Sequence, residues 1–233
     1  MNVRTPARVF LGTAGTSLRT RDLLELRTNH AAAQDAVRAP FDAELHALTA
    51  LAPQHDVLFV DSAAADLTTH LRRPDLGRRL NPEAIDTVLT RGTLGSTVQL
   101  MIGDGLSARA VGSHAPAFVA RFAELAATRG WSLGRPIVVR HARVALMNVV
   151  GELLSPEVVL LLIGERPGLD SHASMSAYFG YRPTAADTDA ERNLISNIQQ
   201  YGLSPATAAE EAVAVVERLL RLGASGVAAL TAD

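Results

Sequence analysis

Two residue types are missing from this chain altogether. Among its 233 residues there is no cysteine and no lysine, so all 22 basic side chains are arginine. Without cysteine there are no disulfides, thiolate nucleophiles, zinc ribbons or iron–sulfur clusters. Without lysine there is no Schiff base to pyridoxal phosphate and no ammonium group for a phosphate-binding P-loop. Aromatic residues make up only 4% of the chain. No apolar stretch approaches the roughly 20 residues that span a bilayer, and Met1–Gly12 lacks the apolar segment of a secretory signal, so a cytoplasmic protein is expected. A net charge of −2 and a pI near 6.4 argue against a general binder of nucleic acid or membrane surfaces, which requires clustered positive charge. The seven histidines show no metal-ligand spacing. Ser107 is not in a G-x-S-x-G elbow and has no identifiable His and acid partners, so hydrolase chemistry has no support either.

What is present is enough apolar residue, 48%, to fill an ordinary core. Three apolar runs stop on small or charged residues. They are Val98–Ile102 before Gly103-Asp104-Gly105, Pro136–Val139 before Arg140-His141, and Val158–Ile163 before Gly164-Glu165-Arg166-Pro167-Gly168. Short continuous apolar runs bounded by turn residues read as fully buried parallel strands. In an open α/β sheet ligands collect outside the carboxyl ends of such strands, which places the functional residues just after these runs. Helices are expected at about 114–129 and 143–153, giving a βαβαβ order, hence a parallel sheet. Ser174–Tyr181 alternates and adds a further strand.

Residues 1–92 read as a mostly helical N-terminal region with one strand, and 93–233 as an α/β domain. Leu18–Val37 and Phe41–Leu51 are helix candidates, and Asp56–Val60 is the strand. Asn81-Pro82 starts a helix that buries Ile85, Val88 and Leu89 and ends at Gly92. The breaker-rich segment Arg72–Arg79 reads as the connector. Thr188-Asp189-Ala190-Glu191 is a capping box, read as opening a helix with Leu194, Ile195 and Ile198 on one face. Ser204-Pro205 opens the last helix and Gly223 ends it.

Gly103-Asp104-Gly105-Leu106-Ser107-Ala108 satisfies G-x-G-x-x-A, the fingerprint of a dinucleotide site, but the next strand ends in Arg140-His141 rather than the acid that would hold a ribose. A plain tight strand-to-helix turn is the competing reading. Glu165, placed where a buried strand leaves the core, suits the N–H and O–H donors of a ligand. An ion pair to Arg166 or Arg143 would explain it equally well. Arg140 and Arg143 either face a phosphate or neutralise Asp104 and Glu165.

Four longer motifs carry a resemblance. Arg73-Pro74-Asp75-Leu76-Gly77-Arg78-Arg79-Leu80, Asp104-Gly105-Leu106-Ser107, the run Val159 to Leu169, and Ile195-Ser196-Asn197-Ile198 follow one another as in the small (light) subunits of ethanolamine ammonia-lyase, which this chain strongly resembles from about Arg8 to Gly226. The resemblance implies an adenosylcobalamin-dependent radical ammonia-lyase that converts ethanolamine to acetaldehyde and ammonia. Residues 93–233 would form a Rossmann-like cobalamin-binding domain covering the cofactor against a TIM-barrel large subunit, which holds the catalytic residues. Cobalamin contacts carry over onto Val144, Glu165 and the position of Leu194, with Arg143 beside them. Leu194 departs from the Cys that related subunits can have, and His141-Ala142 depart from Tyr-Gly. Asp170-Ser171-His172 begins the D-x-H-x-x-G motif of other cobalamin enzymes, but Met175 stands in place of its glycine. Base-on binding is therefore expected. The chain begins close to the matching region, without the N-terminal extension that packages some relatives into a bacterial microcompartment. The alternatives are a stand-alone nucleotide-binding Rossmann-type oxidoreductase and a non-catalytic α/β adaptor.

Overall fold

The computed structural model describes residues 13–41, 48, 56–169 and 171–231. In chain order they form a small hairpin of β1 (Thr13–Ala14) and β2 (Ser17–Leu18), then α1 (Thr20–Arg38), β3 (Leu58–Asp61), α2 (Leu67–Arg72), α3 (Pro82–Arg91), β4 (Val98–Gly103), α4 (Ala108–Thr128), β5 (Ile137–Arg140), α5 (Leu146–Leu154), β6 (Val158–Gly164), β7 (Met175–Tyr181), β8 (Asn193–Ile198), α6 (Pro205–Leu222) and α7 (Val227–Thr231). The candidate helix Phe41–Leu51 lies mostly outside the described residues.

Strand order is β3-β5-β4-β6-β7-β8. The first four are parallel, while β7 pairs antiparallel with both β6 and β8, so the sheet is mixed rather than parallel throughout. Every residue of β4 and of β6 is buried, which is why these strands read as unbroken apolar runs. Alternate strand residues feed two separate cores. Leu100, Ile102, Leu160 and Leu162 pack with α4 and α6 on one face. Met101, Ile137, Val139 and Leu161 pack with α3 and α5 on the other.

The mostly helical N-terminal region is not evident. Although α1, α2 and α3 are helices, β3 is an edge strand of the main sheet, paired with β5, and α3 packs over the sheet beside α5. Asn81 caps α3 as expected, accepting from the Ala84 N–H at 2.7 Å. Its buried face is Ala84 and Val88, with Leu89 half exposed. The segment Arg73–Arg79 is no free linker, because it makes a 3₁₀ turn (Leu76–Arg78) and its Gly77 carbonyl accepts from the Arg143 N–H at 2.8 Å. A Cβ at Gly77 would come within 2.7 Å of Arg143 Cγ and 2.9 Å of the His141 oxygen.

The capping box at Thr188 exists, with Glu191 accepting from the Thr188 N–H and hydroxyl, but it closes only a single 3₁₀ turn (Asp189–Glu191). Leu194, Ile195 and Ile198 then lie on β8, not on a helix. A β-bulge explains the misleading spacing. Ala177 pairs with Ile195 and Met175 with Ile198, so between these pairs the single residue Ser176 of β7 faces two of β8, Ser196 and Asn197. Asn197 takes the left-handed backbone (φ 61°), which Asn tolerates better than most side chains. The extra residue turns Ile195 and Ile198 toward the same core, and the apolar spacing of an edge strand comes out helical.

Candidate functional site

The crevice where a doubly wound sheet would hold a ligand lies between the carboxyl ends of β4 and β5, because the helices that follow these neighbouring strands cover opposite faces. Here it is filled by the protein. Both Asp104 carboxylate oxygens accept backbone N–H groups from beyond β5, His141 at 2.9 Å and Ala142 at 2.8 Å. Burial pushes the Asp104 carboxyl up to about 6, against the pull of those two bonds. Gly105 has φ 56°, and a side chain there would run into the Gly164 carbonyl. His70 closes the crevice, fully buried, with Nε2 2.7 Å from the Gly105 oxygen and its ring stacked on His141 at 5.5 Å. Burial holds its imidazole down to about 4. Ser107 caps α4 through the Ala110 N–H. The G-x-G-x-x-A match is thus a tight turn whose glycine makes room for the protein's own backbone.

A second concavity lies beside the start of α5 and is open. Its volume is about 750 Å³, and its walls include Arg78, Arg143, Val144, Tyr178, Arg192 and Leu194. The floor is sheet: Leu194 on β8 pairs with Tyr178 on β7, which pairs with Leu161 on β6. Leu161 is covered by the core beneath α3 and α5, whereas Leu194 is 50% exposed. One wall is the chain entering α5. The other is the segment Asp187–Arg192, tied to α5 through Asn148, whose Nδ2 donates to the Asp187 carbonyl at 2.9 Å.

Three of the four residues expected from the sequence, Arg143, Val144 and Leu194, therefore line one cleft although Leu194 follows Val144 by fifty positions. Glu165 stands near it, its negative charge helping burial raise the Tyr178 phenol above its ordinary value. Neither suggested ion partner holds Glu165. Its Oε1 accepts from Ser176 Oγ and from the Asn197 N–H at 3.1 Å, so the carboxylate clamps the β-bulge. Among the described residues its Oε2 makes no such bond. Arg140 pairs with Asp61 at 3.4 Å, and Arg143 donates from Nη2 to the His70 carbonyl at 3.0 Å.

Sequence reasoning missed Tyr178, Arg192, Arg78 and Asn148. Tyr178 had a signal in the alternation of Ser174–Tyr181, which places it opposite the face of Ala177 and Phe179. Arg192 had none, because the segment was read as a helix.

The four motifs converge in space: the Gly77 turn supports Arg143, the Asp104 turn anchors His141 and Ala142, and Glu165 holds Asn197. The family model for the ethanolamine ammonia-lyase light chain matches residues 1–229. The chain belongs to that family. It is 45% identical over 229 residues to the ethanolamine ammonia-lyase small subunit of Xanthomonas campestris pv. campestris (strain B100), covering 96% of this chain and 83% of that one. The small subunit of Ralstonia nicotianae (strain GMI1000) is 42% identical over 231 residues, covering 96% and 84%. That of Pseudomonas syringae pv. tomato (strain DC3000) is 41% identical over 226 residues, covering 96% and 79%. As a light chain it has no helix among the described residues that is long and apolar enough to cross a membrane.

Proposed function

We propose that this chain is the small subunit of an adenosylcobalamin-dependent ethanolamine ammonia-lyase, and that the open cleft beside α5 covers the corrinoid against the large subunit. The observation that carries this reading is the meeting of Arg143, Val144 and Leu194 in one concavity, with Glu165 beside it. The donor set suits such a ligand. Val144 and Leu194 offer apolar surface to a corrin edge, the Oε2 of Glu165 can accept from a peripheral amide, and buried guanidinium nitrogens without partners can meet an anionic group. When bound, the cofactor supplies an adenosyl radical by homolysis of its cobalt–carbon bond.

The chain's own residues bind and orient. Glu165 and Asn197 fix the β7–β8 edge, Asp104 fixes the loop that carries Arg143 and Val144, and Asn148 holds the far wall at its distance. Within this reading the four parallel strands with α4 and α5 form a Rossmann-like unit, the cofactor stays base-on, and a TIM-barrel partner contributes the catalytic residues. The oxidoreductase alternative loses its basis, since the glycine turn it needs is packed against Gly164.

Two measurements test the reading. Deamination of ethanolamine is expected only when this chain, the large subunit and adenosylcobalamin are combined, and NAD(H) binding by the isolated chain would favour the alternative instead. Glu165→Gln keeps an acceptor oxygen for Ser176 and Asn197 but replaces the second acceptor by a donor. It is expected to weaken adenosylcobalamin binding to the complex by about 1–3 kcal/mol with folding unchanged. An unaltered dissociation constant rejects the role given to Glu165.

A further inference from the structure

Two arginines on opposite sides of the cleft share an unusual defect. The Arg192 side chain is only 5% exposed, with Nη1 on the Asp189 carboxylate and Nη2 3.4 Å from Asn148 Oδ1. Its Nε is buried and has no hydrogen-bond partner. Arg143 enters from the α5 side with Nη2 on the His70 carbonyl, and its Nε is likewise buried without a partner. A guanidinium cannot shed its charge, and a buried N–H of a cation left without an acceptor is costly.

The charge around them is lopsided too. Arg78 lines the same cleft. The acids on the far wall are already engaged: Asp187 accepts from the Thr184 N–H and hydroxyl, and Asp189 from Arg192. Burial and the nearby charges of Arg78 and Arg166 lower the affinity of Arg143 for its proton, although Asp104 opposes them.

We propose that the cleft contains an anion subsite for a phosphate-class oxyanion, held between Arg143 and Arg192 through their free Nε–H groups. A planar carboxylate is satisfied by the fork of one arginine, whereas a tetrahedral phosphate presents oxygens to donors arriving from two walls. Two sources share this chemistry: the phosphodiester in the nucleotide tail of a corrinoid, and a separate phosphate or phosphate ester. The first rests on the cofactor reading given above; the second does not.

The test uses Arg192→Lys, which keeps the charge and the reach to Asp189 but removes Nε, and Arg143→Gln, each checked for native circular dichroism. Inorganic phosphate is titrated into the full chain by calorimetry. Cobalamin and cobinamide, which lacks the nucleotide tail, are titrated into the complex with the large subunit. If the tail is the source, either variant weakens cobalamin binding about tenfold or more beyond whatever loss it causes for cobinamide. If a separate phosphate is the source, the wild-type chain binds phosphate, both variants lose it, and cobalamin and cobinamide respond to each variant alike. Phosphate binding without any corrinoid binding would sink the cofactor reading while sustaining the subsite. Equal responses of cobalamin and cobinamide without loss of phosphate binding, or no change with any probe, overturn the proposal.

Discussion

Two concavities beside the same sheet have opposite fates. The crevice between the ends of β4 and β5 is the position where an open α/β sheet is built to take a ligand, yet Asp104, Gly105, His70 and His141 consume it with bonds to one another. The cleft beside α5, over β7 and β8, has unsatisfied donors, a half-exposed leucine and a partly buried tyrosine. Filling the first stiffens the loop that forms one wall of the second, because the residues pinned by Asp104 lie immediately before Arg143 and Val144. Both regions hold a buried nitrogen without a partner, His70 Nδ1 in the first and the Nε of Arg143 and Arg192 in the second, so the difference between them is the space left open rather than donor satisfaction alone.

The sharpest way to break this comparison is Gly105→Ala. If the glycine makes room for a ligand, the variant carries only the strain of a left-handed alanine, about 1–2 kcal/mol, and loses binding. If it makes room for the Gly164 carbonyl, as the geometry has it, the variant carries both a left-handed alanine and an overpacked turn. The second outcome is expected, with a loss of about 3 kcal/mol in urea unfolding.

Next in size is the pH dependence of the filled crevice. His70 has a native pKa of about 4, below its ordinary 6.5, so in that interval the unfolded chain binds the extra proton and stability rises with pH. Asp104 has a native pKa of about 6, above its ordinary 3.8, so the native chain holds the extra proton and stability falls as pH rises through that interval. Between about 4 and 6 the two oppose each other. Relative to wild type, His70→Asn is expected to lose stability as pH rises across this window, and Asp104→Asn to gain it. Chemical denaturation at closely spaced pH values measures both slopes, and variants parallel to wild type would remove these groups from the balance.

The two regions also differ in how well they could be read from sequence. The crevice was legible, since Val98–Ile102, Pro136–Val139 and Val158–Ile163 are buried on both faces and had to look like parallel strands. That they are followed by a filled crevice was not, because the bonds of Asp104 reach 37 and 38 positions along the chain. Val144, Glu165 and Leu194 came from the family resemblance, and the strand ends located only the first two independently. The β8 wall was misread for a definite reason: a bulge adds one residue to the period of two, and Asn197 carries no mark that separates a left-handed bulge from a helix interior. Arg192 was hidden by the same error, since a side chain following a capping box would sit on an exposed helical turn, whereas after a 3₁₀ turn it folds back beneath Asp189 and Asn148.

Leu194 supplies the smallest and most discriminating effect. A residue half exposed on an edge strand contributes little to the fold, and Leu194→Ser is expected to change unfolding free energy by less than about 0.5 kcal/mol. If the cleft is the covered face of a cofactor site, the same change removes apolar surface that is buried only in the assembled complex, and corrinoid affinity falls by about 1 kcal/mol. A filled crevice has no such separation, because its residues cannot be altered without disturbing the turn they hold. Equal affinity in the Leu194→Ser complex would mean that β8 faces solvent after assembly, and the cleft would then be bounded by the α5 wall alone.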